Sequence, residues 1–251
     1  MIKDIYSDPE LYDAAHWWKT NDMEFITNTA ITCGGPALEM AAGTGRLALP
    51  IIERGINYTG IELSSSFAKF ARKKLEKYGD SAQVFEGDMR KFDLDMQYQF
   101  IFIGFNSIFH LLNNEDVASF LFSVYNHLLD DGLFLIDVFV PHPIFLYRPK
   151  QKYYVMEFDW PSGEHCIVNE TNHYDPDSQI NHIQWFFNTT GENEIDEYQF
   201  DMHMIFPDTM DRLLTEAGFV IKDKYGDYDK TPLGPETVSY THLTLPTNRE
   251  V

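Results

Sequence analysis

The chain has 251 residues, 44% of them hydrophobic, and a formal net charge of −20. That length suits an α/β domain carrying an insertion, and that apolar share is enough for a real core. A surface this acidic repels phosphate backbones, which argues against a nucleic-acid substrate.

No apolar stretch reaches the ~20 residues of a membrane span, and Met1-Ile2-Lys3-Asp4-Ile5-Tyr6 lacks the apolar core of a signal peptide. Two cysteines, Cys33 and Cys166, make neither a disulfide framework nor a zinc site by themselves. No metal-ligand cluster stands out. The expectation is a cytoplasmic chain with no membrane partner. Lys69, Arg72, Lys73, Lys74 and Lys77 read as the solvated face of a surface helix.

Residues 1–30 are rich in aromatics, among them Tyr6, Tyr12, His16, Trp17, Trp18 and Phe25. Asp8-Pro9 starts a helix, and Asp22 or Asn21 is placed to cap a second. Ala37–Met40 is a short apolar strand containing Glu39. The turn Ala41–Gly45 follows, and then a helix over 46–54 ended by Gly55. Gly43 and Gly45 permit backbone angles closed to other residues and carry no Cβ to block a ligand. The N–H groups that open the following helix are free to face an anion. Gly43-Thr44-Gly45 leads into Arg46-Leu47-Ala48, so a dinucleotide fingerprint is met only in its looser form, with alanine at the third position. A carboxylate at Glu39 repels a pyrophosphate and suits a ligand with an ammonium group.

Asn57–Glu62 is the second strand, with Glu62 17 residues beyond Gly45. An acid at that strand end accepts hydrogen bonds from ribose hydroxyls, a device that NAD enzymes also use. Ser64 caps a helix through Tyr78. Ala82–Phe85 is strand three, and Glu86-Gly87-Asp88-Met89 follows it. Tyr98–Phe105 is nearly all apolar, as in a central parallel strand buried on both faces. Asn114 caps a helix over Glu115–Leu129 with apolar positions at helical spacing. Asp130-Asp131-Gly132 is a turn, and Leu133–Phe139 is strand five.

The run Glu39-x-Ala41-x-Gly43-Thr44-Gly45-Arg46 resembles motif I of the class I S-adenosylmethionine (SAM)-dependent methyltransferases, with Ala41 in place of the family's first glycine. Glu62, the Gly87-Asp88-Met89 tripeptide and the Leu129–Phe139 pattern match the same family in order and spacing, over residues 35–140. The resemblance implies a Rossmann-like α/β sheet with helices on both faces. It also implies SAM as cofactor and S-adenosylhomocysteine as product. Glu39, Ala41, Gly43, Thr44, Gly45 and Arg46 would then surround the methionine part. Glu62 and Leu63 would meet the ribose, and Asp88 and Met89 the adenine edge and face. Phe105, Asn106 and Ser107 would border both cofactor and substrate. His110, which titrates near neutral pH, and Tyr12, in a Leu-Tyr-Asp matching the family's N-terminal pair, are the catalytic candidates.

From Pro141 the texture changes. Tyr153–Phe158, Cys166–Thr171, His182–Phe187 and Tyr198–Ile205 are short β-like runs between turn clusters at Pro161-Ser162-Gly163, Asp175–Ser178 and Gly191-Glu192-Asn193. They read as an inserted antiparallel sheet of three or four strands. Small-molecule N-methyltransferases acting on amino sugars or glycine resemble this layout, in which such a sheet walls the substrate and joins two copies in a homodimer. Tyr153, Trp185, Tyr198 and His203 are candidates for substrate contact, with core packing the competing role for each. Pro207–Phe219 is a helix leading into a strand over Val220–Tyr228. Ser239–Thr247 resembles translated sequencing-adaptor DNA, so residues 239–251 are expected to be non-native. The last core strand is expected to be missing or poorly replaced, with reduced stability.

The expected organisation is a helical lid over 1–30, a SAM-binding core over 31–140, the insertion over 141–206, the rest of the core over 207–238, and the tail. The expected function is methyl transfer to nitrogen or oxygen of a small molecule. A non-catalytic SAM-binding protein and an NAD(P)-linked oxidoreductase are the alternatives.

Overall fold

In the computed structural model, alternating strands and helices wind a seven-stranded sheet, and an antiparallel sheet stands beside it. The structure describes residues 3–160, 162–191, 196–234, 237 and 239–246. Of the segments named above, residues 1, 2, 161, 192–195, 235, 236, 238 and 247–251 lie outside them.

A 3-10 turn, Ile5–Ser7, precedes α1 (Pro9–Ala15) and α2 (Met23–Cys33). Then come β1 (Ala37–Met40), α3 (Ala48–Ile52), β2 (Tyr58–Glu62), α4 (Ser65–Leu75), β3 (Ala82–Glu86) and β4 (Tyr98–Ile103). The core continues with α5 (Asn114–His127) and β5 (Leu128–Phe139). After α6 (Pro143–Leu146), the strands β6 (Tyr153–Asp159), β7 (His165–Asp175), β8 (Ile180–Thr189) and β9 (Asp196–His203) form a four-stranded meander. The chain returns through α7 (Pro207–Glu216), β10 (Phe219–Tyr225) and β11 (Ser239–Pro246).

The large sheet has the order β10-β11-β5-β4-β1-β2-β3, with β11 antiparallel to both neighbours. The winding reverses between β1 and β4, which opens a crevice at the carboxyl ends of the strands. The sheet is buried on both sides. Leu38, Met40, Ile101 and Ile103 pack with Val117, Phe120, Met210 and Leu214 from α5 and α7. Ala37, Phe100 and Phe102 pack with Ile26, Ile51 and Ala68 from α2, α3 and α4. The apolar runs therefore read as parallel strands because both their faces meet helices.

Several local expectations are corrected. Helix α3 spans only Ala48–Ile52, because the glycine turn extends through Gly45–Leu47. Asn113, not Asn114, caps α5, its side chain accepting from the Asp116 N–H at 2.7 Å. Neither Asn21 nor Asp22 caps α2 with its side chain, since Arg46 takes the Asp22 carboxylate and Lys19 the Asn21 oxygen. Strand β5 begins at Leu128, so the expected turn at Asp130–Gly132 becomes an irregular stretch of pairing with β4.

The last strand is present, against the expectation of a missing or poor one. β11 pairs with β5 from Ser239↔Phe139 to Thr244↔Phe134 and with β10 on its other side. Its Tyr240, Thr241 and Thr244 favour an extended chain. Pro246 falls beyond the register with β5, so its absent N–H breaks no bond there. The fit is imperfect: the Tyr240 hydroxyl and His242 Nδ1 are buried without a hydrogen-bond partner.

The meander turns one face inward. Met156, Phe158, Val168, Phe187 and Tyr198 pack on Ile5, Leu11 and Ala15 of the N-terminal segment. The Lys3 N–H donates to the Glu197 carbonyl at 2.8 Å. The N-terminal segment is thus wedged between the meander and the crevice.

Candidate functional site

A cavity of about 1010 Å³ runs from the carboxyl ends of β1, β2 and β3 to the inner face of the meander. A side lobe of about 220 Å³ adjoins it, and Tyr12, His16, Ala41, Gly43, Phe105 and Ser107 line both.

The glycine turn forms one wall. Ala41, Gly43 and Gly45 all have positive φ, at 53°, 58° and 75°. A Cβ on Gly43 would meet only the Ala41 carbonyl oxygen, at 4.0 Å, so this backbone faces open space. Gly45 is required by its φ rather than by space, since a Cβ there would make an ordinary 3.5 Å contact with Ala71 of α4.

Glu62, at the end of β2, is buried in this wall. Its carboxylate accepts from the N–H groups of Gly43 and Ser64, each at 2.8 Å. Burial raises its pKa, and those amides pull it back. Both oxygens keep unused lone pairs. Leu63 is exposed beside it and also lines the cavity. Beyond β3, Asp88 and Met89 line the same end. Arg90 grips Asp88 through Nε and Nη2 at 2.6–3.1 Å and holds its carboxyl below the usual range. Arg90 also reaches Asp116 at 3.1 Å.

Glu39, Thr44 and Arg46 border the side lobe rather than the main cavity. The Glu39 carboxyl accepts a 2.5 Å bond from the Tyr58 hydroxyl, and burial pushes its pKa up to about 8. Arg46 is engaged elsewhere: both of its terminal nitrogens donate to Asp22 at 2.7 Å, and one also donates to the Lys19 carbonyl. The Thr44 hydroxyl donates to Asp13.

Phe105 and Asn106 adopt the left-handed conformation, with φ of 49° and 64°. Asp137 on β5 holds this turn, accepting from the Phe105 N–H at 3.1 Å and from the Tyr228 hydroxyl at 2.9 Å. Asn106 Oδ1 accepts from the Phe139 N–H at 2.7 Å. A short 3-10 turn, Ser107–His110, then carries His110 to the cavity.

His110 Nε2 lies 2.8 Å from the Tyr6 hydroxyl. Burial lowers its pKa, opposed by the Asp201 carbonyl, and burial raises that of Tyr6. Near neutral pH the imidazole is therefore neutral and the phenol protonated. Tyr12 stacks on His16 with ring centroids 4.1 Å apart. Desolvation lowers His16 to about 4, so that ring is neutral as well.

Of the four meander candidates, Trp185 lines the cavity. Tyr153 instead lies under the Arg148 guanidinium, Tyr198 packs on Phe187, and His203 is buried with its Nδ1 donating to the Leu111 carbonyl. Tyr6, His16, Glu170 and Phe200 line the cavity without having been singled out as site residues. Period-2 alternation was the available signal for Glu170 and Trp185, which pair directly across β7 and β8.

Residues 37–132 match the methyltransferase domain family Methyltransf_25. The chain is 31% identical over 105 residues to the putative methyltransferase YqeM of Bacillus subtilis, 41% of this chain and 42% of that protein. It is 27% identical over 240 residues to a glycine/sarcosine/dimethylglycine N-methyltransferase of Actinopolyspora halophila, 92% of this chain and 40% of that protein. The chain thus spans less than half the length of these two relatives. Its fold matches the CcbJ methyltransferase from Streptomyces caelestis with a TM-score of 0.82 at 18% identity, over 97% of this chain and 98% of that one.

Proposed function

We propose that this chain, a class I SAM-dependent methyltransferase by its fold and its matched domain, transfers the methyl group to the nitrogen of a small-molecule amine. The observation that carries the reading is the continuous cavity, with Glu62 and the bare Gly43 backbone at one end and His110 among aromatic rings at the other.

The residues present fit the cofactor. Glu62 would take the ribose hydroxyls with its remaining lone pairs, beside Leu63. Asp88, steadied by Arg90, and Met89 would meet the adenine. Glu39, a buried carboxyl with a raised pKa, would ionise against the methionine ammonium. Gly43, Ala41 and Thr44 would supply backbone and hydroxyl groups around that end. Arg46, bound to Asp22, would brace the turn rather than touch the ligand.

SAM, when bound, supplies a methyl group already made electrophilic by its sulfonium. The chain's own work is to orient the acceptor, exclude water and manage one proton. An amine attacks only when neutral. The neutral His110 imidazole would take the ammonium proton, with the Tyr6 hydroxyl as relay. Phe105, Asn106, Ser107 and Tyr12 would hold the two reactants in line.

Thermal unfolding with S-adenosylhomocysteine tests the cofactor half. A ligand at 100 times its Kd adds about 2.7 kcal/mol, which at this size shifts Tm by about 5–10 °C. The same shift with NAD would overturn the reading. Formation of S-adenosylhomocysteine on a panel of amines tests the other half, with alcohols as the competing acceptors.

A further inference from the structure

The acceptor end of the cavity carries its own charge pattern. Arg90 is the one Lys or Arg among the described residues that line the main cavity. It belongs to the opposite end and is spent on Asp88 and Asp116. The side-lobe cations are spent too: Lys19 and Arg46 on Asp22, and Lys74 on Asp13. His16 and His110 are held neutral by burial. Around the acceptor stand the rings of Tyr6, Tyr12, Trp185 and Phe200, with Asn106, Ser107 and the Glu170 carboxylate among them.

One guanidinium stands just behind this wall. Arg148, in the segment between α6 and β6, donates through Nη2 to Glu170 Oε1 and through Nε to Asn172 Oδ1. Glu170 Oε2 accepts from the Trp185 indole N–H at 2.7 Å. Glu170, itself buried, is therefore the hinge of a part-buried chain. On one side it neutralises Arg148. On the other it sets the indole, which also meets Phe200 edge-on with centroids 5.0 Å apart.

An anionic acceptor entering here would lose its hydration and find no free cation. That penalty acts as discrimination. A protonated amine, by contrast, meets ring faces that attract cations.

Resting on the amine reading above, we propose that this site selects amines bearing no carboxylate or phosphate, with Trp185 contacting the acceptor and Glu170 acting as a positioning residue that masks Arg148. The site then differs in acceptor chemistry from an enzyme built for free amino acids. Releasing Arg148 from Glu170 creates the missing anion site.

The test compares near-isosteric pairs in which an isopropyl group replaces the carboxylate: isobutylamine with glycine, and 4-isopropylcyclohexylamine with 4-aminocyclohexanecarboxylate. S-adenosylhomocysteine formation gives kcat/KM for each. In the wild-type chain the plain amine of each pair should lead by at least tenfold. Glu170→Gln keeps an oxygen for the indole but removes the charge opposite Arg148. It should narrow that ratio at least tenfold, mainly through KM for the carboxylated partner, with S-adenosylhomocysteine affinity unchanged. Trp185→Ala should raise KM for the plain amines about tenfold.

Wild-type preference for the carboxylated partners overturns the proposal and leaves amine methylation standing. An unchanged ratio in a folded Glu170→Gln overturns the role given to Glu170. Transfer to alcohols but to no amine overturns the amine reading and this proposal with it. The wild-type comparison alone decides the selectivity if a variant fails to fold.

Discussion

The two ends of the cavity are built in different ways. The end proposed above for the cofactor is assembled from turns that directly follow β1, β2 and β3, each leaving its strand at the same edge of one sheet. Its key contact, Gly43 N–H to Glu62, joins residues 19 apart. The acceptor end draws on the N-terminal segment, the turn after β4 and the inner face of the meander. There the Tyr6–His110 contact spans 104 residues, and His16 lies beside Trp185 with centroids 5.9 Å apart. The cofactor end is thus a property of the sheet. The acceptor end exists only once three distant segments have docked.

The sharpest way to break this division is Glu62→Gln. Losing the charged acceptor of two backbone amides and, on the reading proposed above, of the ribose should weaken S-adenosylhomocysteine binding on the order of 100-fold, by calorimetric titration. Unchanged affinity would remove Glu62 from the site. The matching change at the other end is His110→Ala. It should lower kcat toward a responsive amine by about 100-fold, the lower end of what a general base contributes. Its S-adenosylhomocysteine shift should stay at the wild-type value. Loss of both would mean that the two ends are not separable.

A pH series sharpens the comparison at the side lobe. The folded pKa of Glu39, about 8, lies above its ordinary 4.5. Between those values the unfolded chain has released the proton that the folded chain still holds. Stability is therefore full below about pH 4.5 and falls as pH rises to about 8. His16, lowered to about 4 from 6.5, contributes stability that is lost as pH falls from 6.5 to 4. Glu39→Gln should flatten the decline between about pH 4.5 and 8 in urea titrations and leave the His16-linked loss on acidification intact. The smallest effect is expected far from both ends. Tyr240→Phe removes a buried hydroxyl without a partner and should stabilise by about 1 kcal/mol, a Tm rise of about 2–4 °C.

Much of the geometry at the carboxyl ends of β1, β2 and β3 was legible because its signals are local. A strand, a glycine turn and a terminal carboxylate lie within a few residues of one another, and sheet geometry brings those strand ends together. Even so, the partner of Arg46 was not legible. That partner, Asp22, lies 24 residues upstream, and a guanidinium is placed by the carboxylate it finds. Asp137 went unnoticed because a polar residue inside an apolar run gives no hint that it will hold a turn on the neighbouring strand. At the other end, Trp185 and Tyr198 stood equal in the sequence. Both face inward, but one meets the cavity and the other the N-terminal helix.

The chain's sequence by itself determined the doubly covered parallel sheet, the glycine turn, the acids at the strand ends and the presence of an antiparallel insertion. These follow from periodicity, turn chemistry and burial, which act over a few residues. Only the tertiary structure decided that the tail from Ser239 completes the sheet, because an open slot between β5 and β10 offers backbone partners to almost any extended segment. Only it decided that Tyr6 meets His110 and that Glu170 stands between Arg148 and Trp185. Those contacts depend on how whole elements dock, and docking is governed by the shape of surfaces that no short stretch of sequence contains.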